Sequence, residues 1–443
     1  MRWPYFVLLA LLIAAASSLV GPCRPFERQL EAPLAPADGR GWVTGIEGLY
    51  GVAREAARGS APGPKAPDIG AIGYAQGSEA PRAARGDTGS ATARFDVART
   101  QPGVNLMTSG DRARAELRAL DDTLLHAWEV PYSAHDGLPP LEGPHQLAWR
   151  RVALLDDGGL LAIHDGRALL RIDADSRPVW ALGIRAHHDL ALDLGAAAGP
   201  RVHVLTRAER VVPAVNPKTP VIDDRVATLD LDGNVLREFS LWDAFTKSAW
   251  GPMLQDLTVR EGDVMHSNSI ELLDGQLAER HPAFAAGNWL ICMRDLDLIV
   301  VVDPEAERVV WLATGPWRGP HHPTVTARGT VLLFDNLGND GDSRLLELEV
   351  TSGAIVSAWS PEDPTQFSSQ FCGVAAPLAN GNVLVTESCR GRAFELTPNG
   401  DLVWEYLSPR RAGPLDRFVA ALFEVERLAE DLPGVRAALD TAR

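Results

Sequence analysis

The feature that most constrains the fold of this 443-residue chain is an internal repeat. An apolar strand, an acidic turn and a second strand that ends on an aromatic residue recur six times. These aromatic residues are Trp128, Trp180, Phe239, Trp311, Trp359 and Trp404. The last three are separated by 48 and 45 residues, which is the length of one four-stranded propeller blade. The repeat therefore predicts an all-β chain folded as a six-bladed β-propeller. Another hairpin-rich all-β fold, such as a sandwich, is the alternative.

The repeats also set the domain boundaries. The propeller is predicted to span residues 100–410, and most later blades open with a short hairpin, for example around Asn380-Gly381. The first copy lacks such an inner hairpin. We therefore expect it to supply outer strands to the blade built by the C-terminal repeat, which closes the ring. In residues 411–443 the apolar spacing becomes helical and predicts a helical extension; it involves Phe418, Leu422, Val425 and Leu432.

The N-terminus predicts export. An uncharged apolar run from Trp3 to Val20 follows Met1-Arg2, so residues 1–22 are interpreted as a signal peptide or a membrane anchor. Residues 23–99 are rich in Ala, Gly, Pro and Arg and lack strand or helix periodicity, which is typical of a low-complexity stalk. We expect the propeller to be periplasmic or at the cell surface, either tethered or released. Disulfides persist in such a compartment.

The charge of the chain limits its partners. The formal net charge is −16, which disfavours nucleic acid and anionic membrane surfaces as general partners. Any anion that this protein binds must therefore meet a locally positive pocket. The oligomeric state does not follow from the sequence.

Three histidines stand at the same position of the repeat. His188, His266 and His322 each begin the first strand of a blade. Because first strands line the central channel of a propeller, these side chains are expected to converge on one site. His187 and His321 are immediate neighbours in two of the three blades, and either member of each pair can face the channel.

Two further side chains point to an anion as the ligand. Arg294 ends the second strand of the blade that His266 begins, and its planar guanidinium suits sulfate, phosphate or carboxylate oxygens. Asn268 follows His266 by two positions and therefore shares its face of the strand. The alternatives are an ion pair of Arg294 with Asp295 or Asp297, and a backbone hydrogen bond for Asn268.

At these residues the chain resembles the bacterial arylsulfotransferase family. The resemblance covers roughly residues 100–410 and rests on the ordered strings HHDLALD, LREFSLWDAF, DVMHSNSIE, NWLICMRDLDLIVVVD and HHPTVTARGTVLLFDN. It implies a six-bladed propeller enzyme that moves a sulfuryl group from a phenolic sulfate ester to another phenol. The implied reaction passes through a sulfohistidine and uses no adenosine-type sulfate donor, no metal and no other cofactor.

The resemblance also assigns roles to residues of this chain. His322 matches the histidine that takes the sulfuryl group, although Pro323 stands where the family more usually has an acidic residue. His188, His266 and Arg294 match residues that bind the group and assist its transfer. Asn268 matches a sulfate-binding asparagine. We expect His188 to serve the phenol oxygen.

Two contacts are predicted from hairpin register. If Arg328-Gly329 are the two loop residues of their hairpin, His322 lies opposite Asp335, whose carboxylate would orient the imidazole. Counting outward from Asn380-Gly381 places Cys372 opposite Cys389 at a non-hydrogen-bonded pair, where side chains approach most closely. We therefore expect a Cys372–Cys389 disulfide; two buried thiols are the alternative.

Other functions remain open at this level. His188, His266, Asn268 and Asp335 together offer ligands for a metal-dependent propeller hydrolase. A non-catalytic propeller on a stalk, which binds a protein through its rim, is the second alternative. A quinone-cofactor dehydrogenase is disfavoured because the blades carry no regular tryptophan-docking repeat.

Overall fold

A computed structural model describes residues 91–141, 148–213, 215–256, 262–363, 366–412 and 418–441 of the protein. Within these ranges six antiparallel sheets form the blades of a six-bladed β-propeller and a seventh, two-stranded sheet lies in the C-terminal segment, which confirms the predicted fold. Residues 1–22 and the linker up to residue 90 lie outside the described residues. In the part that is described, no helix is long and apolar enough to cross a membrane.

The strands follow one another around the ring. They are β1 (Thr92–Phe95), β2 (Val104–Ser109), β3 (Arg114–Arg118), β4 (Leu124–Glu129), β5 (Trp149–Leu154), β6 (Leu160–His164), β7 (Ala168–Ile172), β8 (Pro178–Leu182), β9 (Leu190–Asp193), β10 (Arg201–Val212), β11 (Asn216–Asp230), β12 (Val235–Ser240), β13 (Ser267–Leu272), β14 (Trp289–Met293), β15 (Leu298–Asp303), β16 (Arg308–Ala313), β17 (His321–Val325), β18 (Val331–Asn339), β19 (Asp342–Leu348), β20 (Ile355–Trp359), β21 (Val374–Pro377), β22 (Val383–Glu387), β23 (Arg392–Leu396), β24 (Leu402–Leu407), β25 (Arg411–Ala412), β26 (Phe418–Val419) and β27 (Leu422–Leu428).

These strands build the blades in chain order. From the channel outward, blade 1 consists of β27, β2, β3 and β4, and blades 2 to 5 consist of β5–β8, β9–β12, β13–β16 and β17–β20. Blade 6 consists of β21–β24 with β1 as a fifth, outer strand. Among the described residues, the α-helices are α1 (Leu241–Thr246) and α2 (Pro433–Thr441). Short 3₁₀ helices lie at Tyr132–Ala134, Gly251–Asp256, Pro282–Phe284, Arg294–Leu296 and Ser388–Arg390.

The aromatic residues of the repeat join neighbouring blades. The indole N–H of Trp180 donates to the carbonyl of Leu231, at the outer turn of the next blade, over 3.0 Å. Trp311 and Trp404 make the same contact with Val350 and Leu120, at 3.2 and 2.9 Å. A large side chain with one donor can fill the space between two sheets and still satisfy its polar atom. The aromatic repeat in the sequence therefore corresponds to a contact that recurs between neighbouring blades.

The ring closes differently from the prediction. The C-terminal repeat keeps its own four-stranded blade, and β27 pairs with β2 from Val104↔Leu428 to Ser109↔Leu422. Leu422 and Val425 therefore lie in a strand rather than a helix, and only Pro433–Thr441 of the tail is helical. A short apolar run fits either period. The inner edge of β2 favours the strand over the helix, because only a neighbouring strand can form hydrogen bonds with the backbone groups along that edge.

The linker also ends earlier than predicted. Thr92–Phe95, within the stretch interpreted as a stalk, forms β1 and pairs antiparallel with β24. Three of its four residues are exposed. An edge strand with few buried side chains carries little hydrophobic pattern, so its pairing leaves almost no trace in the sequence.

Both hairpins used for register predictions have three-residue loops. Leu378 pairs with Asn382 across one loop and Thr326 with Thr330 across the other. Only the glycines, Gly381 at φ 87° and Gly329 at φ 82°, are left-handed. A two-residue type I′ loop needs positive φ at both central residues, whereas a type I turn followed by a bulge needs it at the glycine alone. The pairing is therefore shifted by one residue in each hairpin.

The shift removes the predicted disulfide. Val374 pairs with Thr386, and continuing this register puts Ser388 rather than Cys389 opposite Cys372. Cys389 lies in the 3₁₀ turn that follows β22. Both cysteines are free, buried thiols, so the prediction of a Cys372–Cys389 bond is wrong.

Candidate functional site

The three repeat histidines share an unusual backbone conformation. His188, His266 and His322 have φ angles of 54°, 52° and 48°, in the left-handed region. Non-glycine residues seldom occur there, although histidine tolerates the region better than most. Each of these residues turns the chain into the inner strand of blades 3, 4 and 5. Their equivalence in the repeat is therefore an equivalence of local structure.

Blades 3 and 4 bring three imidazoles into contact. The ring centroids of His188 and His266 lie 4.9 Å apart, and those of His187 and His188 lie 5.1 Å apart. His187 Nδ1 lies 2.9 Å from His188 Nδ1, and His187 Nε2 lies 3.1 Å from the carbonyl oxygen of Thr206. Both residues of the His187-His188 pair are buried, so the pair acts as one hydrogen-bonded unit.

His266 is the histidine of this group whose pKa is raised. Its Nδ1 lies 3.1 Å from Asp263 Oδ2 and 3.9 Å from Asp295 Oδ2. Burial lowers the pKa of His266, but the hydrogen bond and charge of Asp263, followed by the charge of Asp295, raise it above its usual value. For Asp263, burial acts in the opposite direction and raises the pKa of the carboxyl group. The hydrogen bond from His266 outweighs burial and keeps the pKa of Asp263 low.

His188 stays neutral in the same place. Burial, the neighbouring His266 and then Arg150 lower the pKa of His188 well below its usual value. Asp165 Oδ1 lies 3.9 Å from His188 Nδ1, but it accepts from the backbone N–H of His188 at 3.2 Å. The site therefore places an imidazole with a lowered pKa against one with a raised pKa.

Arg294 faces the same group from the end of β14. Its Nη1 donates to Asp295 Oδ1 over 2.5 Å, so the ion pair considered as an alternative is present. Its Nε is buried and has no hydrogen-bond partner, and its guanidinium lies 5.8 Å from the centroid of the Phe371 ring. Asn268 donates from Nδ2 to the carbonyl of Pro320 over 2.9 Å, which leaves its buried Oδ1 without a partner.

Blade 5 contributes two neutral histidines. His321 Nδ1 lies 2.7 Å from Asn336 Oδ1 and 3.1 Å from the carbonyl oxygen of Gly319, and its buried Nε2 has no partner. Burial, followed by Arg294 and Arg150, lowers the pKa of His321 well below its usual value. His322 is only partly buried as a residue, yet its Nδ1 is buried and has no partner. Burial also lowers its pKa.

Asp335 does not orient His322. His321 pairs with Phe334 and Thr324 with Leu332, so His322 falls in a bulge of β17 rather than opposite Asp335. The Asp335 carboxylate instead binds Arg344 Nε over 2.7 Å and the amides of Arg318 and Gly338 over 2.9 Å each. The predicted His322–Asp335 contact is wrong, and Asp335 fixes a turn.

Several polar residues of the site were missed by the sequence reasoning. Arg294 was found because it ends the second strand of its blade. The same criterion applied to blade 2 selects Asp165, which contacts His188. Asn336, which contacts His321, lies within β18, next to the predicted Asp335. Asp263 carries a weaker signal, because it precedes His266 by three residues and accepts from its backbone N–H over 2.9 Å.

The ligands considered for a metal do not assemble. Over the described ranges, which omit several short loops and the N-terminal 90 residues, no group of three His, Cys, Asp or Glu side chains is placed to hold a metal ion. The carboxylate of Asp335 is already bound to Arg344.

Comparisons with known proteins give a family and a general fold likeness. No curated protein sequence matches this chain. A protein of unknown function from Bacteroides caccae superposes with a TM-score of 0.45 and 13% identity, over 70% of this chain and 94% of its own. Virginiamycin B lyase from Staphylococcus aureus superposes with a TM-score of 0.39 and 12% identity, over 72% and 89%. These values carry no information about the chemistry of this chain.

The family match is more specific. The arylsulfotransferase (ASST) family model matches residues 151–408, more than half of the chain. The match covers nearly all of blades 2 to 6 and includes these residues of the site: His187, His188, His266, Asn268, Arg294, His321, His322 and Asn336. The chain therefore belongs to the arylsulfotransferase family, as the resemblance of its sequence implies.

Proposed function

We propose that this protein transfers a sulfuryl group from a phenolic sulfate ester to a phenolic acceptor, through a sulfohistidine and without a nucleotide sulfate donor. The observation that carries the proposal is the grouping of Arg294 and His266, whose pKa is raised, with the neutral His188 and with His321, whose buried Nε2 has no partner. Cations suit the oxygens of a sulfate group, and a neutral imidazole suits nucleophilic attack. Family membership supports the same class of substrate.

His322 is the proposed nucleophile, as its match to the family implies. A lone pair on one of its ring nitrogens attacks sulfur, and the S–O bond to the donor phenolate breaks with its electron pair leaving on oxygen. Arg294 and protonated His266 bind the sulfuryl oxygens, and Asn268 adds a polar contact. In the second half-reaction the acceptor oxygen attacks sulfur and gives its proton to His188. The S–N bond then breaks, and its electron pair returns to the ring.

Electrostatics supports this division of roles. Sulfuryl transfer spreads negative charge over several oxygens, so much of the catalysis comes from positioning and fixed charge. The described surroundings of His322 offer its buried Nδ1 no hydrogen-bond partner. Because burial keeps its pKa low, the nucleophile is in its reactive, neutral form at neutral pH.

The test is turnover of a chromogenic aryl sulfate with and without added phenol. The wild-type protein should release the donor phenol and sulfate the acceptor, and His322→Ala should abolish both while remaining folded by circular dichroism. His126→Ala, on the outer strand β4, is the matched control and should retain wild-type rates. Wild-type transfer by a folded His322→Ala protein would show that His322 is not the nucleophile, and His321→Ala would then be compared.

Export remains part of the proposal. The apolar run Trp3–Val20 and the stalk after it support a location outside the cytoplasmic membrane. Residues 1–99 fused to alkaline phosphatase should give an active reporter, because that enzyme needs an oxidising compartment. A fusion that is inactive, while a parallel fusion to a cytoplasmic reporter works, would contradict export.

A further inference from the structure

The His187-His188 pair has a hydrogen-bond order that can be read from its acceptors. A backbone carbonyl can only accept, so the contact of 3.1 Å to Thr206 requires the proton of His187 to lie on Nε2. In a neutral ring this leaves Nδ1 of His187 as the acceptor. His188 Nδ1, which lies 2.9 Å away, must then carry the proton and donate it.

Both rings are neutral, which this order requires. Burial, followed by Arg207, lowers the pKa of His187 to about 4. His187 Nε2 also lies 3.6 Å from Asp224 Oδ1, but burial raises the pKa of Asp224. With the two pKa values moved in these directions, the contact is not an ion pair. The carbonyl of Thr206, at the shorter distance, remains the acceptor.

We propose that His187 is a positioning residue that holds His188 in its Nδ1–H tautomer and so presents His188 Nε2 as the base for the acceptor phenol. This inference rests on the proposed function, which identifies the acceptor phenol as the molecule that His188 deprotonates. In the step concerned, the phenol O–H proton moves to His188 Nε2 while the oxygen electron pair attacks sulfur and the S–N bond breaks. The resulting imidazolium keeps donating from Nδ1 to His187.

The fixed tautomer matters because free histidine prefers the other one. Without an acceptor at His187 Nδ1, His188 would carry its proton on Nε2 and would meet the phenol hydroxyl with a donor instead of a lone pair. A base in the wrong tautomer loses most of the rate enhancement that a positioned acid–base group gives, which is about 10²–10⁴-fold. His187 makes no contact with substrate in this scheme, so its loss should lower kcat and leave KM nearly unchanged.

Two substitutions separate the two hydrogen bonds of His187. An asparagine amide reaches the place of Nδ1, and a glutamine amide reaches the place of Nε2. His187→Asn therefore keeps an acceptor for His188 and loses the bond to Thr206, whereas His187→Gln keeps the bond to Thr206 and loses the acceptor. A positioning role predicts that His187→Gln lowers kcat by about 10²-fold or more, and that His187→Asn stays within roughly tenfold of wild type. Equal losses in the two variants, or the reverse order, would overturn the proposal.

A second measurement does not depend on activity. In protein labelled with ¹⁵N at histidine, the signals of His188, assigned by their loss in His188→Asn, should report a protonated Nδ1 and an unprotonated Nε2. A protonated Nε2 would overturn the tautomer assignment even if neither His187 variant folds. If the wild-type signals match and the protein turns over no aryl sulfate, the positioning of His188 stands and the proposed function fails.

Discussion

Histidines at one repeat position have pKa values shifted in opposite directions because their partners differ. His266 has a carboxylate 3.1 Å from its ring, and this partner raises its pKa despite burial. His188 has another imidazole at hydrogen-bond distance and a charged neighbour, and its pKa falls well below the usual range. Identical residues can thus serve as cation and base, since the environment rather than the residue type sets the charge.

This difference predicts how anion binding depends on pH. The charge on His266 is present below its raised pKa and is lost as pH rises through it, so the affinity for inorganic sulfate should fall over that interval. One charge-assisted hydrogen bond is worth roughly 1.5–3 kcal/mol, or about 10–100-fold in Kd. Calorimetric titration with sulfate between about pH 5 and 9 would measure the fall in affinity, because this interval brackets the ordinary pKa of histidine.

Asp263→Asn provides the control for this prediction. Removing the carboxylate leaves burial as the dominant influence, so the pKa of His266 should drop and the loss of affinity should move to lower pH. An unchanged midpoint in the variant would show that another group controls sulfate binding. Burial lowers the pKa values of His321 and His188 well below the usual value, in the opposite direction to that of His266.

Asp335 should matter for stability rather than for rate. Its carboxylate holds Arg344 and two backbone amides, and it makes no contact with His322. Asp335→Asn should therefore cost about 1–3 kcal/mol of unfolding free energy, with kcat per folded molecule within a few-fold of wild type. Denaturant titration and turnover of the same sample would separate the two effects. A large fall in kcat with unchanged stability would restore a catalytic role.

At the scale of the element, one loop residue sets the register of each inner hairpin. Gly381 is left-handed, and a Cβ added to it would meet only Pro398, at 3.9 Å. A side chain at position 381 would therefore meet no steric clash. Any loss of stability on substitution would come from the left-handed backbone conformation. The bulge that this conformation creates shifts every pair of the β21–β22 hairpin by one residue.

A substitution at this position isolates that cost. Gly381→Ala should lower the unfolding free energy by roughly 1–2 kcal/mol, the penalty of a left-handed L-residue. Gly381→Asn should lower it less, because asparagine tolerates this region. Chemical denaturation of the three proteins would give the order, and an alanine variant as stable as wild type would mean that the loop can rearrange.

At the scale of the whole molecule, the C-terminal strand β27 holds the ring closed. Arg427 on this strand is 1% exposed and forms an ion pair over 3.0 Å with Glu395 of blade 6, which is fully buried. The same guanidinium donates to Asn105 Oδ1 of β2 over 2.7 Å. One buried side chain therefore connects the inner strand of blade 1 to both the next strand of that blade and the neighbouring blade.

Breaking this pair should destabilise the entire propeller. Glu395→Ala leaves a buried, uncompensated guanidinium and should cost about 3–5 kcal/mol of unfolding free energy. The double variant Glu395→Leu with Arg427→Met removes both charges and should recover much of that loss. A double-mutant cycle by denaturant unfolding would test this coupling; additive losses in the double variant would argue against it.

The sequence by itself determined the architecture. Its 45-to-48-residue period, with an aromatic residue at each end, fixed six blades, because each blade must bury both faces and make the same contact with its neighbour. The repeat position of His188, His266 and His322 similarly predicted their common place in the fold. These features are local in each blade and are copied around the ring.

Tertiary structure alone decided the closure, the register and the hydrogen-bond partners. Leu422–Leu428 became a strand because the edge of β2, more than 300 residues earlier, needed a partner. A bulged loop shifted the register between Cys372 and Cys389, and a bulged loop together with a bulge in β17 separated His322 from Asp335. Hydrophobic periodicity does not reveal a shift of one residue. The orientation of His188 depends on His187 and a carbonyl of another strand. Contacts between distant segments are set by the packed chain, and no local pattern records them.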